Sequence, residues 1–219
     1  MIKHILFDCD GVLIDTEIVA ANLFVARMQA MGINDISTAD YLTNHTGSTF
    51  MTVLGQFLDH SHSLTEQREI MEEIEQAVAD NVVEISGVEQ MLKSVSIDKS
   101  IVSNSYVKAV KNAMHKTGLT SYFTGNIFSS ELVKNPKPAT DVYELAIQTT
   151  NLEPNQLLVV EDSLTGVRAA KSAGLQVIGF LGASHILPGH DERMRDLGVT
   201  KLAYNMAELD VILNQQINQ

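Results

Sequence analysis

Residues 3–8, KHILFD, form a short unbroken apolar run closed by a polar turn, the pattern of a strand buried on both faces. From about residue 16 to residue 85 the pattern changes. TEIVAANLFVARMQAMG, TADYLTNH, STFMTVLGQFLDH and LTEQREIMEEIEQAVADNVVE space their apolar residues helically, and nothing in this stretch reads as a strand. Gly32 is the expected stop of the first helix, and Thr65 the expected N-cap of the last, ahead of an acidic first turn. Beyond ISGVEQMLKSV, strands and helices alternate. KSIVSN, NIFSS, QLLVVED and QVIGFL read as strands, separated by helices at VKAVKNAMHKTG, ATDVYELAIQTTN and LTGVRAAKSAG. Weaker units at ERMRDLG, KLAYN and MAELDVILNQQ complete the chain.

Alternation of this kind predicts a parallel sheet covered by helices on both faces, with the first strand in the same sheet. The expected fold class is α/β: a Rossmann-like parallel-sheet core made of residues 1–15 and 86–219, with an α-helical domain, residues 16–85, inserted after the first strand. No internal repeat, low-complexity segment or long linker interrupts this plan.

Composition narrows the classes of function. The 45% hydrophobic and 19% charged fractions are those of an ordinary globular protein. No apolar run approaches the length of a membrane span, and the opening MIKHILFDCDG meets aspartate too early for a signal peptide. A single cysteine, Cys9, excludes an internal disulfide framework and fits a reducing cytoplasm. The net charge of -12, with no lysine- or arginine-rich stripe, argues against nucleic acid as a partner. A small phosphorylated molecule stays open, because it needs only a few local cations or a metal. The oligomeric state is not legible.

In open parallel sheets ligands bind beyond the carboxyl ends of the strands, near the point where strand order reverses. Those ends here are FDCDG, SNS, SSELVKNPKP and EDS, and they offer Asp8, Asp10, Ser103, Asn104, Lys137, Glu161 and Asp162. Two aspartates one residue apart after an apolar strand have no packing rationale, since like charges so close raise each other's cost of ionisation. Singly, each residue has a plainer explanation: a strand-end hydroxyl for Ser103, a solvated loop lysine for Lys137, an acidic helix start for Glu161 and Asp162. Jointly those explanations require four coincidences at one rim, and the functional reading is preferred. Cys9 lacks a histidine partner in the adjacent motifs and reads as a small buried hydrophobe. His60 and His62 in DHSHS lack the partners of a zinc set and read as a solvated loop.

The four strand ends resemble the four motifs of the haloacid dehalogenase superfamily over essentially the whole chain. DCDGVLIDTE is similar to the first motif, Ser103 in IVSNS to the second, Lys137 in NPKPATDVY to the third and VVEDSLTGVRAAKSAG to the fourth. The inserted helices resemble the small cap of the subgroup that contains beta-phosphoglucomutase and many sugar-phosphate phosphatases. The resemblance implies a Mg2+-dependent phosphatase of small phosphorylated metabolites. It makes Asp8 the nucleophile that forms an aspartyl-phosphate, and Asp10 the general acid and base. Mg2+ would be held by Asp8, the backbone carbonyl of Asp10, Asp162 and Glu161. Lys137, Ser103 and the Asn104 backbone N–H would bind the phosphoryl group.

Asp10 argues against the dehalogenase branch. The absence of lysine from residues 16–85, whose arginines are Arg27 and Arg68, argues against a Schiff-base phosphonatase. A phosphosugar mutase remains an alternative, weakened because Ala20 stands where the mutase resembled here carries histidine, and Glu17 after the DT pair is more typical of phosphatases. A non-catalytic phosphate-binding protein on the same fold is the lesser alternative. Residues 44–54, NHTGSTFMTVL, are the expected loop dipping toward the site from the insertion, with a helix N-cap at Ser48 or Thr49 as the plainer reading.

Overall fold

In the computed structural model, which describes residues 1–58 and 63–218, the first strand lies at the middle of the sheet. His60 and His62 lie outside the described residues. Strand β1 (His4–Phe7) is buried along its whole length, and pairs in parallel with β2 (Asp98–Ser103) on one side and β4 (Leu157–Glu161) on the other. Beyond them stand β3 (Ile127–Ser129), β5 (Gln176–Phe180) and β6 (Lys201–Ala203), in the order β3-β2-β1-β4-β5-β6. Every pair is parallel.

Side chains alternate across this sheet, which is why its strands read as nearly continuous apolar runs. Ile5 and Phe7 enter a cluster with Val88, Met91, Val110, Met114, Leu209 and Leu213. These come from α5 (Val88–Ser94), α6 (Val107–Lys116) and α10 (Met206–Ile217). Leu6 faces the other way, into a cluster with Val142, Val167, Ala170 and Met194. That face is covered by α7 (Asp141–Thr150), α8 (Leu164–Ser172) and α9 (His190–Asp196). Each fully buried side chain of Leu, Ile or Phe size contributes about 1.5–3 kcal/mol.

The inserted helices α1 (Glu17–Ala30), α2 (Thr38–Asn44), α3 (Phe50–Phe57) and α4 (Leu64–Ala79) gather on a third cluster. Phe24 stands at its centre, with its ring centroid 5.0 Å from that of Tyr41. Gly32, at φ 83°, ends α1 as expected, its N–H donating to Gln29 O. Two expectations are corrected. The N-cap of α4 is Ser63, not Thr65, which lies inside the helix. Ser63 has Glu66 three residues on, so its Oγ accepts from the Glu66 N–H while its own N–H donates to Glu66 Oε2 at 2.7 Å. That reciprocal cap satisfies two helix-end donors, which Thr65 with Arg68 could not do.

The helical spacing of LTEQREIMEEIEQAVADNVVE also runs past the true end of α4 at Ala79. Residues 82–85 instead return to the core. Val82 and Ile85 join Ile14 in the core cluster, and their stretch pairs with the outgoing chain: Asp15 N to Val83 O at 2.9 Å and Ile85 N to Leu13 O at 3.1 Å. A pair of adjacent extended connectors therefore joins the insertion to the sheet. Among the described residues no helix is long and apolar enough to cross a membrane.

Candidate active site

Strand order reverses between β1 and β4, and the side chains after those two strands meet. Asp8 is the first residue past β1. Its N–H still donates to Val160 O at 2.9 Å, so the backbone is tied to the sheet while the carboxylate stands at the rim. Lys137, from the loop between β3 and α7, reaches the same place. Its Nζ donates to Asp8 Oδ1 at 2.7 Å, Glu161 Oε1 at 2.6 Å and Val102 O at 2.8 Å, which uses all three ammonium donors. The Tyr143 ring centroid lies 5.3 Å from the ammonium, and the Tyr143 hydroxyl donates to Glu161 Oε1 at 3.2 Å. Glu161 Oε2 accepts from the backbone N–H and hydroxyl of Ser163. Burial by itself would lower the affinity of Lys137 for its proton, but Asp8 and Glu161 outweigh it and hold the ammonium charged.

Asp10 occupies a different environment. Thr16 Oγ1 donates to its Oδ1 at 2.7 Å and Ser105 Oγ to its Oδ2 at 2.8 Å. The Thr16 hydroxyl is thereby turned away from capping α1, which has no side-chain cap. Gly11 follows Asp10 at φ 82°, and a Cβ there would strike the Asp162 carboxylate and lie 2.8 Å from His185 Cε1. The turn after the aspartates needs a residue without a side chain on both counts.

Asp162 closes the cluster. Its carboxylate is buried, and neither oxygen accepts a hydrogen bond. His185 Nε2 approaches Oδ2 to 3.0 Å without forming one, while His190 Nε2 meets the Asp162 carbonyl at 2.6 Å. One carboxylate oxygen from each of Asp8, Glu161 and Asp162 lies within 4.8 Å of the others. Burial pushes the carboxyl of Asp8 well above the usual range, with Lys137 opposing and Glu161, Asp162 and Asp10 adding to it. Burial and Glu161 do the same to Asp162. A buried, oxygen-only donor set with too little positive charge and an orphaned carboxylate fits a hard divalent cation.

Ser103 and Asn104 sit on the opposite wall. Ser103 is buried, and its Oγ accepts from the Ser105 N–H at 2.9 Å. The Asn104 side chain is a strap: it donates to Gly47 O at 2.8 Å and Lys137 O at 3.1 Å, and accepts from Lys137 N at 3.0 Å. Gly47, Ser48 and Thr49 of the insertion line the same cavity of about 400 Å³ as Asp8, Asp10, Ser103, Asn104 and Lys137. Thr49 also caps α3, accepting from the Thr52 N–H. Cys9 packs in the core with its thiol pushed well above its usual pKa, by burial first and then by Asp10 and Asp8.

Sequence reasoning did not single out Thr16, Ser105, Tyr143, Ser163 or His185. Thr16 and Ser105 neighbour motif residues and could have been found as hydroxyls within reach of Asp10. His185 follows the end of β5, where the strand-end rule applied once more would have reached it. Tyr143 carries no such signal, because a helical tyrosine three residues into α7 reads as core.

The fold and site define a class first: a doubly wound α/β enzyme with an acidic, lysine-bridged centre at the switch point beneath inserted helices. The family model described as haloacid dehalogenase-like hydrolase matches residues 5–180, and the chain belongs to that family. It is a phosphoric monoester hydrolase. It is 24% identical over 192 residues to the 6-phosphogluconate phosphatase of Escherichia coli strain K12, covering 85% of this chain and 86% of that one. To the phosphorylated carbohydrates phosphatase of Thermotoga maritima it is 29% identical over 183 residues, covering 80% and 83%. The crystal structure of a haloacid dehalogenase-like protein of unknown function from Agrobacterium tumefaciens matches with a TM-score of 0.81 at 30% identity, over 99% of this chain and 100% of that one.

Proposed function

We propose that the protein is a Mg2+-dependent phosphatase of small phosphorylated metabolites, sugar phosphates foremost, acting through an aspartyl-phosphate on Asp8. The observation that carries this reading is the setting of Asp8. One of its oxygens is held by Lys137 at 2.7 Å, at a cavity shared by the sheet rim and the inserted helices. The relatives named as phosphatases of 6-phosphogluconate and of phosphorylated carbohydrates support the substrate class. In this reading residues 16–85 are the cap and residues 1–15 with 86–219 the core.

The free Asp8 oxygen attacks phosphorus as the ester P–O bond breaks, splitting one difficult displacement into two. Asp10, oriented by Thr16 and Ser105, gives its proton to the departing alcohol oxygen. It then takes a proton from the water that attacks phosphorus, and Asp8 leaves as a carboxylate with release of inorganic phosphate. Lys137 fixes Asp8, while the Ser103 hydroxyl and Asn104 N–H bind phosphoryl oxygens. Asp8, Asp162 and the Asp10 carbonyl would hold Mg2+, which neutralises phosphoryl charge when bound. The donors already on Glu161 favour its holding Lys137 rather than the ion directly.

Phosphate release from a panel of sugar phosphates tests this. Turnover with Mg2+ should vanish with EDTA and fall about a thousandfold or more in Asp8→Asn. Interconversion of hexose phosphate isomers without release would make the protein a mutase instead.

A further inference from the structure

The cavity's charge pattern bears on the part of the substrate that is not phosphate. Lys137 is the one lysine or arginine among the described residues that line it, and its three donors are already directed to Asp8, Glu161 and Val102 O. The phosphate end of the cavity already has its partners. The rest of the lining adds three carboxylates: Glu17 at the start of α1, buried near Asp10, Asp162 and His185, Glu75 on α4 and Glu131 after β3. Glu131 is engaged, accepting from the Val107 N–H at 3.2 Å. Among the described residues neither Glu17 nor Glu75 shares a salt bridge. Between these groups the walls are apolar, with Phe50, Met51, Met71 and Val78 from the cap and Val110 from α6.

We propose that this site selects phosphate monoesters whose alcohol carries no second anion, a neutral or cationic alcohol with hydrogen-bond donors and some apolar surface, and that Glu17 and Glu75 enforce the selection. The inference rests on the phosphatase reading and narrows it. A carboxylate or second phosphate entering this cavity would meet like charge, with no uncommitted lysine or arginine in the lining to receive it. A hydroxyl or ammonium would find acceptors. Crowding of negative charge is already felt there: burial, Asp10, Glu72 and Glu131 push the Glu75 carboxyl up to about 7. The chain would then differ from relatives named for 6-phosphogluconate and phosphoglycolate, whose alcohols carry a carboxylate.

The test compares kcat/KM of the Mg2+-loaded enzyme for phenyl phosphate and its para-carboxyl and para-aminomethyl derivatives, at a pH above both carboxyl values, about 7 for Glu75 and about 8 for Glu17, which burial raises most. The para-carboxyl ester should fall below phenyl phosphate by about tenfold or more, the para-aminomethyl ester should match or exceed it, and Glu75→Gln or Glu17→Gln should narrow the spread. Equal or faster turnover of the para-carboxyl ester, or a spread unchanged in both variants, would overturn the inference and leave the phosphatase reading standing. No turnover of any of the three esters would overturn both.

Discussion

Asp8 and Asp10 have only Cys9 between them, yet they meet different chemistry. Asp8 faces an ammonium at 2.7 Å, whereas Asp10 accepts from two hydroxyls. Alternation along an extended segment does not by itself create that difference; Lys137, Thr16 and Ser105 do, and they come from three separate parts of the chain. Glu75 shows the cost of burying such a group and then surrounding it with others of its sign. Its folded pKa of about 7 lies above the ordinary 4.5, so the fold favours its protonated form. The stability this confers is present below pH 4.5 and is lost as pH rises through about 7. Glu75→Gln should therefore match the parent protein in acid and become progressively more stable than it up to about pH 7, with a constant advantage above that. Denaturant midpoints across pH would measure this, and a gap independent of pH would refute it.

At the scale of elements, helix α8 is shaped by the site at its N-terminus. Gly166 lies in its first turn, and a Cβ there would run into the Glu161 carboxylate. Alanine is the better helix former by about 1 kcal/mol, but overpacking a filled interior costs about 1–3 kcal/mol and would also displace the carboxylate that holds Lys137. Gly166→Ala should thus lower both stability and turnover. Gly55 in α3 is the contrasting case, since it has open space where a Cβ would stand and no left-handed backbone. Gly55→Ala should stabilise by about 1 kcal/mol and leave turnover as it was. Thermal melts and phosphate release on the two variants separate these outcomes. Two glycines in helices then respond oppositely, for reasons helix propensity alone does not contain.

For the whole molecule, the inserted helices and the sheet are joined by the connectors, by Tyr106 packed against the third cluster, and by polar bonds. Asn104 Nδ2 donates to Gly47 O at 2.8 Å, Thr165 Oγ1 to Thr46 O at 3.3 Å and Arg193 Nη2 to Thr43 O at 3.3 Å. These three acceptors are backbone carbonyls of residues 43–47, and at the other end of the insertion Lys116 Nζ donates to Ala79 O at 3.1 Å and Asp80 O at 2.8 Å. Polar contacts such as these open at less cost than the apolar clusters. Adding Mg2+ with orthovanadate should slow hydrogen exchange at residues 45–49 and 103–105 while leaving β1 and β4 unchanged. Equal protection everywhere, or none in the loop, would contradict a cap that closes over the site.

The order of strands and helices, the parallel sheet and the helical insertion were all legible in the chain, because burial on both faces gives strands continuous apolar runs and burial on one face gives helices a 3.6-residue period, both written in residue order. The residues at the strand ends were legible for a related reason: a buried parallel sheet leaves few places for a carboxylate, so each one there asks for a purpose. Local competition was less visible. Ser63 displaced Thr65 because a reciprocal cap was available two residues upstream, and α4 stopped at Ala79 because Val82 and Ile85 were needed in the core. Only the tertiary structure decided which groups meet: Lys137 with Asp8 across 129 positions of sequence, Tyr143 with Glu161, His185 beside Asp162, and the carboxylates of the cap facing the phosphate site. Such pairings depend on where the folded sheet and cap carry each side chain, and sequence periodicity records only which way a residue faces.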